Sequence, residues 1–174
     1  MESIAPNKAY TMTSPLPYTL VTSLDKDNKP NALAVSWITR TSINPFLLLI
    51  SIDFRRYSYE GIDYHKEFVI NYPNENQVKG AEICGSKSGR DMDKIKEAGF
   101  TLVSSQKVKT PTIEDSTVSL ECKVIDKFDT GDHTVFVGEV IAASYSPDKQ
   151  MHIYSASSPS IISLDNKGHI NLEL

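Results

Sequence analysis

Residues 117–145 read TVSLECKVIDKFDTGDHTVFVGEVIAASY, and this stretch decides the fold class. From Thr117 to Phe128, apolar side chains alternate with polar ones, which is the period of a strand with one buried face. Asp129–Asp132 is a turn sequence that contains glycine, and His133–Tyr145 is rich in the β-branched residues that strands favour. The stretch therefore predicts a hairpin with two long antiparallel arms.

The segments on either side add strand signals and fewer helical ones. Strands are predicted at Tyr18–Leu24, Ala32–Ile38, Phe46–Ile52 and Glu67–Tyr72, and a last hairpin at Ile161–Leu164 and His169–Leu172. Phe46–Ile52 is nearly all apolar, which predicts burial on both faces. Short helices are predicted at Tyr57–His65, Glu75–Cys84 and Asp91–Ala98. Asp91 is the expected cap of the third helix, and Gly99 its expected end.

The order of these elements excludes a doubly wound parallel sheet, because regular helices do not separate the strands. It favours an antiparallel barrel or sandwich with two or three helices inserted near the middle. A chain of 174 residues with 40% apolar and 23% charged residues has an ordinary globular composition, which excludes wholesale disorder. We expect one domain over residues 1–174, with a proline-containing arm at residues 1–17 and an extension at residues 146–174.

Charge and hydropathy exclude several further classes of protein. The net charge is −4 and the pI is near 5.5, so the chain lacks the basic footprint of a nucleic-acid binder. The longest apolar run, Phe46–Ile50, is too short to span a bilayer. The N-terminus has no apolar secretory segment, and Cys84 and Cys122 are far apart. We therefore expect a cytoplasmic protein with reduced thiols and with neither nucleic-acid nor membrane partners.

Motifs for metal binding and nucleophilic catalysis are missing. None of the four histidines has a second histidine or a cysteine at the short spacing of a zinc site. Gly85–Gly89 resembles a nucleophile elbow, but Lys87 occupies the position of the serine. Asp132 and His133 are adjacent, and neighbouring strand residues point to opposite faces. We therefore expect no carboxylate–imidazole pair between them.

Hydroxyl and basic side chains cluster around the start of the third predicted helix. They are Ser86, Lys87, Ser88, Arg90 and Lys94. Hydroxyls, cations and free backbone N–H groups are the ingredients of an anion site, while the alternative is a solvated basic loop. We expect Lys94 to be exposed in either case. The single tryptophan, Trp37, is either a core residue or a platform for a ligand.

Taken together, the ordered motifs resemble those of the flavin reductase-like family, and within it the flavoredoxin-type branch. The matching segments are KPNALAVSW (29–37), NPFLLLIS (44–51), RYSYE (56–60), EFVIN (67–71), SGRDMDK (88–94), SLEC (119–122), GDH (131–133) and VGEV (137–140). They occur in the order of the family and lie within residues 15–145. The segment after Tyr145 shows little likeness to the family.

The resemblance implies a mainly β fold, the FMN-binding split barrel, which is a Greek-key antiparallel β-barrel with two or three inserted helices. It implies a homodimer with FMN near the subunit interface. It also implies which side chains bind the cofactor: Asn31, Ser36 and Trp37 along the flavin, Arg56 and Ser58 near its phosphate, and Asn71, Ser88, Lys94 and His133 at further flavin positions. No catalytic side chain is implied, because the flavin carries the redox chemistry.

The function implied by the resemblance is an NAD(P)H:flavin reductase-like oxidoreductase that transfers hydride or electrons through bound FMN. FAD is the other possible flavin, and NAD(P)H would be a transient electron donor. One alternative is a flavoredoxin-type electron-transfer protein that passes electrons to a redox partner protein. The other is a non-enzymatic split-barrel protein that binds a ligand.

Overall fold

The computed structural model of the chain describes residues 2–148, 152–157, 160–164 and 170–171. Its strands are β1 (Leu16–Pro17), β2 (Thr19–Leu24), β3 (Pro30–Val35), β4 (Ile38–Ser42), β5 (Leu47–Asp53), β6 (Glu67–Tyr72), β7 (Leu102–Val103), β8 (Thr112–Ile113), β9 (Val118–Thr130), β10 (His133–Tyr145), β11 (His152–Ser157), β12 (Ser160–Leu164) and β13 (Ile170–Asn171). Its helices are α1 (Pro6–Thr11), α2 (Tyr57–His65), α3 (Val78–Ser86) and α4 (Lys94–Glu97), with a 3₁₀ turn at Glu75–Gln77. The predicted mainly β fold is confirmed.

The main sheet has seven antiparallel strands in the order β3-β2-β6-β9-β10-β5-β4. Its longest pairing is the predicted hairpin of β9 and β10, which runs from Thr130 opposite His133 to Val118 opposite Tyr145. Gly131 makes the tight turn at a φ of +60°, a conformation that glycine adopts without steric cost. The hairpin therefore forms the centre of the sheet, and the other strands extend it on both sides.

The two edge strands show that the sheet is rolled into a barrel. In a flat sheet, six strand spacings would separate β3 from β4 by about 29 Å. Only Ser36 and Trp37 join Val35 at the end of β3 to Ile38 at the start of β4, and a chain of that length spans at most about 11 Å. The Trp37 carbonyl also accepts a hydrogen bond from the Ser51 backbone N–H at 3.0 Å. The predicted split barrel is confirmed.

The predicted strand Ala32–Ile38 is wrong at its C-terminal end, because the chain turns there to close the barrel. The strand ends at Val35, and Ile38 begins the unpredicted strand β4. We call the two intervening residues, Ser36 and Trp37, the seam. Because Trp37 and Ile38 continue the apolar pattern after the single polar residue Ser36, the local sequence gives no clear sign of the break.

The barrel core is lined by large apolar side chains from most strands of the main sheet and from α2. Its fully buried members include Ile50, Ile62, Phe68, Ile70 and Phe136. The prediction that β5 is buried on both faces is wrong, since Leu48, Ile50 and Ile52 are buried whereas Leu47 and Leu49 are only half-buried. One face of β5 therefore looks into the core, and the other lies near the surface.

The helices predicted from the sequence lie where they were expected, but not all of them have the predicted length. α2 has the predicted bounds, and Ile62 is buried as expected. The predicted helix at residues 75–84 begins as a 3₁₀ turn and continues as α3 to Ser86. The predicted helix at residues 91–98 is reduced to α4, and its cap is Asp93 rather than Asp91, because the Asp93 carboxylate accepts from the Lys96 backbone N–H. Gly99 ends it at a φ of +68°, as predicted.

The two terminal segments pack together instead of trailing away from the barrel. The expected arm contains α1 and β1, and β1 joins a second sheet in the order β1-β11-β12-β13. The pairing of β12 with β13 agrees with the predicted last hairpin, although residues 165–169 and Leu172 lie outside the described residues. Ile153 and Ile161 are 2% and 3% exposed and pack against α3. No helix in the described ranges is long and apolar enough to cross a membrane.

An irregular segment at residues 104–111 is held to the barrel by two buried carboxylates, and we call it the strap. The Glu121 carboxylate accepts hydrogen bonds from the backbone N–H groups of residues 106–107, with N···O distances of 2.8 and 2.7 Å. The Glu67 carboxylate accepts those of residues 109–110 at 2.7 and 2.8 Å. Buried backbone donors need partners. The two glutamates therefore replace the sheet pairing that the strap lacks.

Candidate functional site

Two adjoining cavities form a groove along β3, next to the seam. The first, of about 150 Å³, lies between α2 and the loop that follows α3, and we call it the cation cavity. The second, of about 320 Å³, lies beside the seam, and we call it the aromatic cavity. Both are lined by Leu33 and Arg56, so they form one groove.

The groove brings together all of the predicted site residues except Asn71. The cation cavity is lined by Asn31, Arg56, Ser58, Ser88 and Lys94. The aromatic cavity is lined by Ser36, Trp37, Arg56 and His133. Asn31 and His133, which are 102 positions apart in the sequence, thus line one continuous depression.

Lys94 is the most unusual residue of the cation cavity. It is only 3% exposed, and its ammonium donates to the Cys84 carbonyl oxygen at 3.1 Å. No carboxylate of the described residues forms an ion pair with it. Burial lowers the pKa of Lys94, and the nearby Arg56 lowers it further. The expectation of an exposed lysine is therefore wrong, and the cavity contains a desolvated ammonium that no carboxylate within the described ranges neutralises.

The nearby thiol does not supply that counter-charge. Burial raises the pKa of Cys84 to about 11, so the thiol is protonated and neutral at pH 7. Burying a charge is costly unless it is paired. An anionic ligand in the cavity would therefore relieve an electrostatic cost that the folded chain already bears.

Hydrogen-bond donors surround the same cavity. The Asn31 side-chain amide donates to the Ser58 hydroxyl oxygen at 2.7 Å, and both side chains are buried. Ser58 therefore keeps its hydroxyl proton for a ligand. Arg56 precedes α2 as its N-cap without a side-chain cap bond, so the first backbone N–H groups of that helix are not capped by a side chain. Helix N-termini of this kind favour anions.

The aromatic cavity has a wall of stacked rings. The ring centres of Trp37 and His133 are 4.5 Å apart, with their planes at 33°. Tyr10 of α1 meets Trp37 edge to face at 6.1 Å. Trp37 is 45% exposed, so it is not a core residue. The contribution of Tyr10 was not predicted, because nothing in the sequence indicates that the N-terminal arm returns to the seam.

Asp132 and His133 correct a prediction made from strand geometry. The Asp132 carboxylate lies 2.5 Å from His133 Nδ1, although we expected no pair between them. Only His133 belongs to β10, and Asp132 lies in the turn, where side chains do not alternate between two faces. The contact lowers the pKa of Asp132. It also fixes one ring nitrogen of His133 beside a carboxylate.

Asn71 lies away from the groove, next to the C-terminal end of β6. Its side-chain amide donates to the Leu20 carbonyl at 3.0 Å, and its oxygen accepts from the Ile113 backbone N–H at 3.0 Å and from the Ser119 hydroxyl at 2.9 Å. It is fully buried. Because both of its polar atoms are used to join neighbouring segments, the structure gives Asn71 a structural position instead of a place in the groove.

Most of the chain matches a known protein family. A family model described as the flavin reductase like domain matches residues 11–161. The chain belongs to the flavin reductase-like family. The resemblance inferred from the ordered motifs is thereby confirmed.

Relatives and solved structures extend this finding. An uncharacterized protein of Pyrococcus abyssi is 37% identical over 141 residues, which cover 81% of this chain and 80% of that protein. A protein of Streptomyces globisporus named as an NADH-dependent FAD reductase is 24% identical over 129 residues, covering 74% of this chain and 70% of that protein. The crystal structure of flavoredoxin from Methanosarcina acetivorans is 26% identical, with a TM-score of 0.79, and the match covers 100% of this chain and 91% of that one. These similarities support a flavin-binding oxidoreductase.

Proposed function

We propose that the chain is an FMN-dependent oxidoreductase that accepts electrons from NAD(P)H. In this proposal the FMN phosphate occupies the cation cavity and the flavin ring occupies the aromatic cavity. The observation that carries the proposal is the buried ammonium of Lys94, which has no carboxylate partner among the described residues. A phosphate dianion is the chemical group that such a cavity fits, because it offers charge and several acceptor oxygens to nearby donors.

The side chains of the groove have separable roles in this proposal. Lys94, Arg56 and Ser58 bind the phosphate end and thereby fix the position of the cofactor along β3. The rings of Trp37 and His133 form a wall of the aromatic cavity and would restrict the position of the flavin ring. Bound FMN supplies the hydride and electron chemistry, and the protein binds and orients it. No protein acid or base is needed for that step, which agrees with the expectation that no side chain of the protein is catalytic.

A flavoredoxin-type electron-transfer protein is the second candidate, and the similarity to a solved flavoredoxin favours it. The two functions differ in how FMN is used. A reductase releases or reoxidises its flavin rapidly with small molecules, whereas an electron-transfer protein holds FMN and passes electrons to a protein partner. Steady-state NAD(P)H oxidation with and without added free FMN separates them. Stimulation by free FMN supports the reductase, and slow oxidation that free FMN does not change supports the electron carrier.

The first prediction is flavin uptake by the purified protein. After incubation with FMN and removal of excess ligand, we expect absorption bands near about 370 and 450 nm, as for an oxidised isoalloxazine. FMN at 100-fold above its dissociation constant should raise the free energy of unfolding by about 2.7 kcal/mol, which a thermal melt detects. Absence of both the bands and the melting shift would contradict the proposed function and favour a non-enzymatic split-barrel protein.

The second prediction is a homodimer. The apolar C-terminal residues Ile153 and Ile161 do not support it, because they are buried within their own chain. Support comes instead from large apolar side chains exposed on the β9–β10 hairpin, namely Ile125, Phe128, Ile141 and Tyr145. Light scattering is expected to give twice the chain mass of 19.4 kDa. A mass of one chain at all working concentrations would reject the dimer.

A further inference from the structure

A further cavity, of about 550 Å³, lies between α3, β3 and the terminal strands, and we call it the terminal cavity. It shares Ala34, Ser36 and Gly85 with the aromatic cavity, so the two cavities adjoin. Of the predicted site residues, only Ser36 lines it. Its volume is within the usual range of small-molecule sites. The terminal cavity is therefore a candidate for a second ligand beside the flavin groove.

The N-terminal and C-terminal segments form the outer wall of the terminal cavity. Tyr18, which follows β1, lines it together with Ser155 of β11 and Ile161 of β12. The Tyr18 backbone N–H donates to the Ile153 carbonyl at 3.2 Å, and its hydroxyl donates to the Ala81 carbonyl of α3 at 3.2 Å. Hydrogen bonds thus join the wall to the helix. Part of the wall comes from the C-terminal extension, which shows little likeness to the family motifs.

Gly85 lies where the terminal cavity meets the aromatic cavity, since it lines both. A Cβ atom added at Gly85 would lie 2.6 Å from the Tyr18 hydroxyl oxygen and 3.3 Å from the Ala34 Cβ. A side chain at this position would therefore fill space at the boundary of the two cavities. Glycine leaves that space free.

The charge of the terminal cavity is opposite to that of the cation cavity. Glu82 is the one charged side chain among the described residues that line it, and none of them is a lysine, an arginine or a histidine. Burial raises the pKa of Tyr18 to about 12, and the nearby Cys84 and Glu82 contribute, so its phenol is neutral at pH 7. The terminal cavity therefore offers an anionic ligand a like charge and no cation.

We propose that the terminal cavity binds the electron acceptor, an uncharged small organic molecule of the quinone class, and that Glu82 disfavours anionic acceptors. This inference rests on the proposed function, in which the flavin ring occupies the adjoining aromatic cavity. A quinone takes up a hydride and a proton when it is reduced, which matches what the electron donor supplies. In the overall reaction, NAD(P)H and one proton reduce the quinone by two electrons to the hydroquinone, and NAD(P)⁺ is released.

Calorimetric titration of the FMN-loaded, oxidised protein tests the inference, because no electrons are transferred in the absence of NAD(P)H. The probes are menadione, an uncharged naphthoquinone, and naphthoquinone-2-sulfonate, in which an anionic group replaces the methyl group. We expect the wild type to bind menadione at least about tenfold more tightly than the sulfonate, since like charges placed side by side lower affinity and a sulfonate is costly to desolvate.

Ser155→Leu tests the location of the site. Ser155 is half-buried and lines the terminal cavity but neither cavity of the flavin groove. A leucine side chain would occupy the space of the ligand, so menadione binding should weaken at least about tenfold while the dissociation constant of FMN stays constant. The rate constant kcat/KM for reduction of menadione by NAD(P)H should fall by the same factor. A thermal melt checks that the variant is folded.

Glu82→Arg tests the role of charge at an exposed position, where folding is not at risk. It should strengthen binding of the sulfonate relative to menadione by about 3- to 10-fold at low salt, and by less at high salt. Glu97→Arg is the matched control, because Glu97 is also exposed, lies on the neighbouring helix α4 and does not line the terminal cavity. It should leave the ratio of the two affinities unchanged.

Three results overturn the inference while the proposed function stands, provided that FMN binds. They are no menadione binding to the FMN-loaded wild type, menadione binding that a folded Ser155→Leu variant leaves intact, and a preference for menadione that Glu82→Arg does not change. If Ser155→Leu does not fold, the comparison of Glu82→Arg with Glu97→Arg decides. If the protein takes up no FMN, the proposed function fails and the inference fails with it.

Discussion

Replacing Lys94 with methionine is expected to weaken FMN binding by about 10- to 150-fold. This is the loss of one charge-assisted hydrogen bond of about 1.5–3 kcal/mol, at about 1.4 kcal/mol for each factor of ten. Methionine is preferred to alanine because Lys94 is only 3% exposed, and a shorter side chain would leave a cavity. FMN titration by fluorescence quenching, at two salt concentrations, measures the change.

The same substitution should not unfold the protein in the absence of flavin. Its ammonium is desolvated and no carboxylate of the described residues pairs with it, so an apolar side chain of similar length removes a buried charge. We expect the melting temperature of the apoprotein to stay constant or to rise. Lys96→Met is the control, since Lys96 lies on the same helix and is exposed. Equal FMN affinity of the wild type and Lys94→Met would exclude a phosphate contact by Lys94.

Replacing Glu67 with alanine is expected to lower the free energy of unfolding by about 2–4 kcal/mol, because buried backbone donors of the strap lose their acceptor. The carboxylate accepts from the backbone of residues 109–110 and is paired with Lys123 at 2.7 Å. Urea unfolding measures the loss. Glu60→Ala is the control: the Glu60–Lys26 pair is exposed and screened by solvent, so its loss should change the free energy of unfolding far less than the loss of Glu67. Equal effects of the two substitutions would show that the strap does not depend on Glu67.

The wild type should also become less stable in acid through this carboxylate. Burial by itself raises the pKa of Glu67. The Lys123 ammonium and the backbone donors of residues 109–110 lower it by more, so the pKa of Glu67 lies below its ordinary value of 4.5. A lowered pKa means that the folded state favours the ionised form. This contribution is present above pH 4.5 and is lost as the pH falls through the lower folded-state pKa. Glu67→Gln should flatten that part of the pH profile.

The sequence predicted the first and last residues of a helix or strand correctly where a local feature, such as a proline or a glycine turn, ends the element. The bounds of α2, β6 and β10 agree with the prediction residue for residue. In each case the limit coincides with a local feature, such as Pro73 after β6 or the glycine turn before β10. The seam was missed because it results from barrel closure, which brings together the two ends of a seven-stranded sheet. No short window of sequence contains that requirement.

In the candidate site, too, some features could be predicted from local sequence and others could not. The motifs predicted which residues gather in the groove, with Asn71 as the exception. They did not predict the burial of Lys94, since α4 is shorter than the local pattern suggests and begins at this residue. They also missed the Asp132–His133 contact, because its geometry depends on the turn. Burial and side-chain direction follow from packing between distant segments, and periodicity along one segment does not report them.

The seam has a consequence for how the barrel opens. Because β3 and β4 lie at opposite ends of the sheet order, and no strand pairing joins them within the described residues, the wall of the barrel is completed at Ser36 and Trp37 by chain connectivity. We therefore expect local opening of the barrel along this line before the hydrogen-bonded ladders separate. A ligand against the seam would contact the ends of both edge strands at once, so we expect flavin binding to suppress that opening and to make the barrel more rigid.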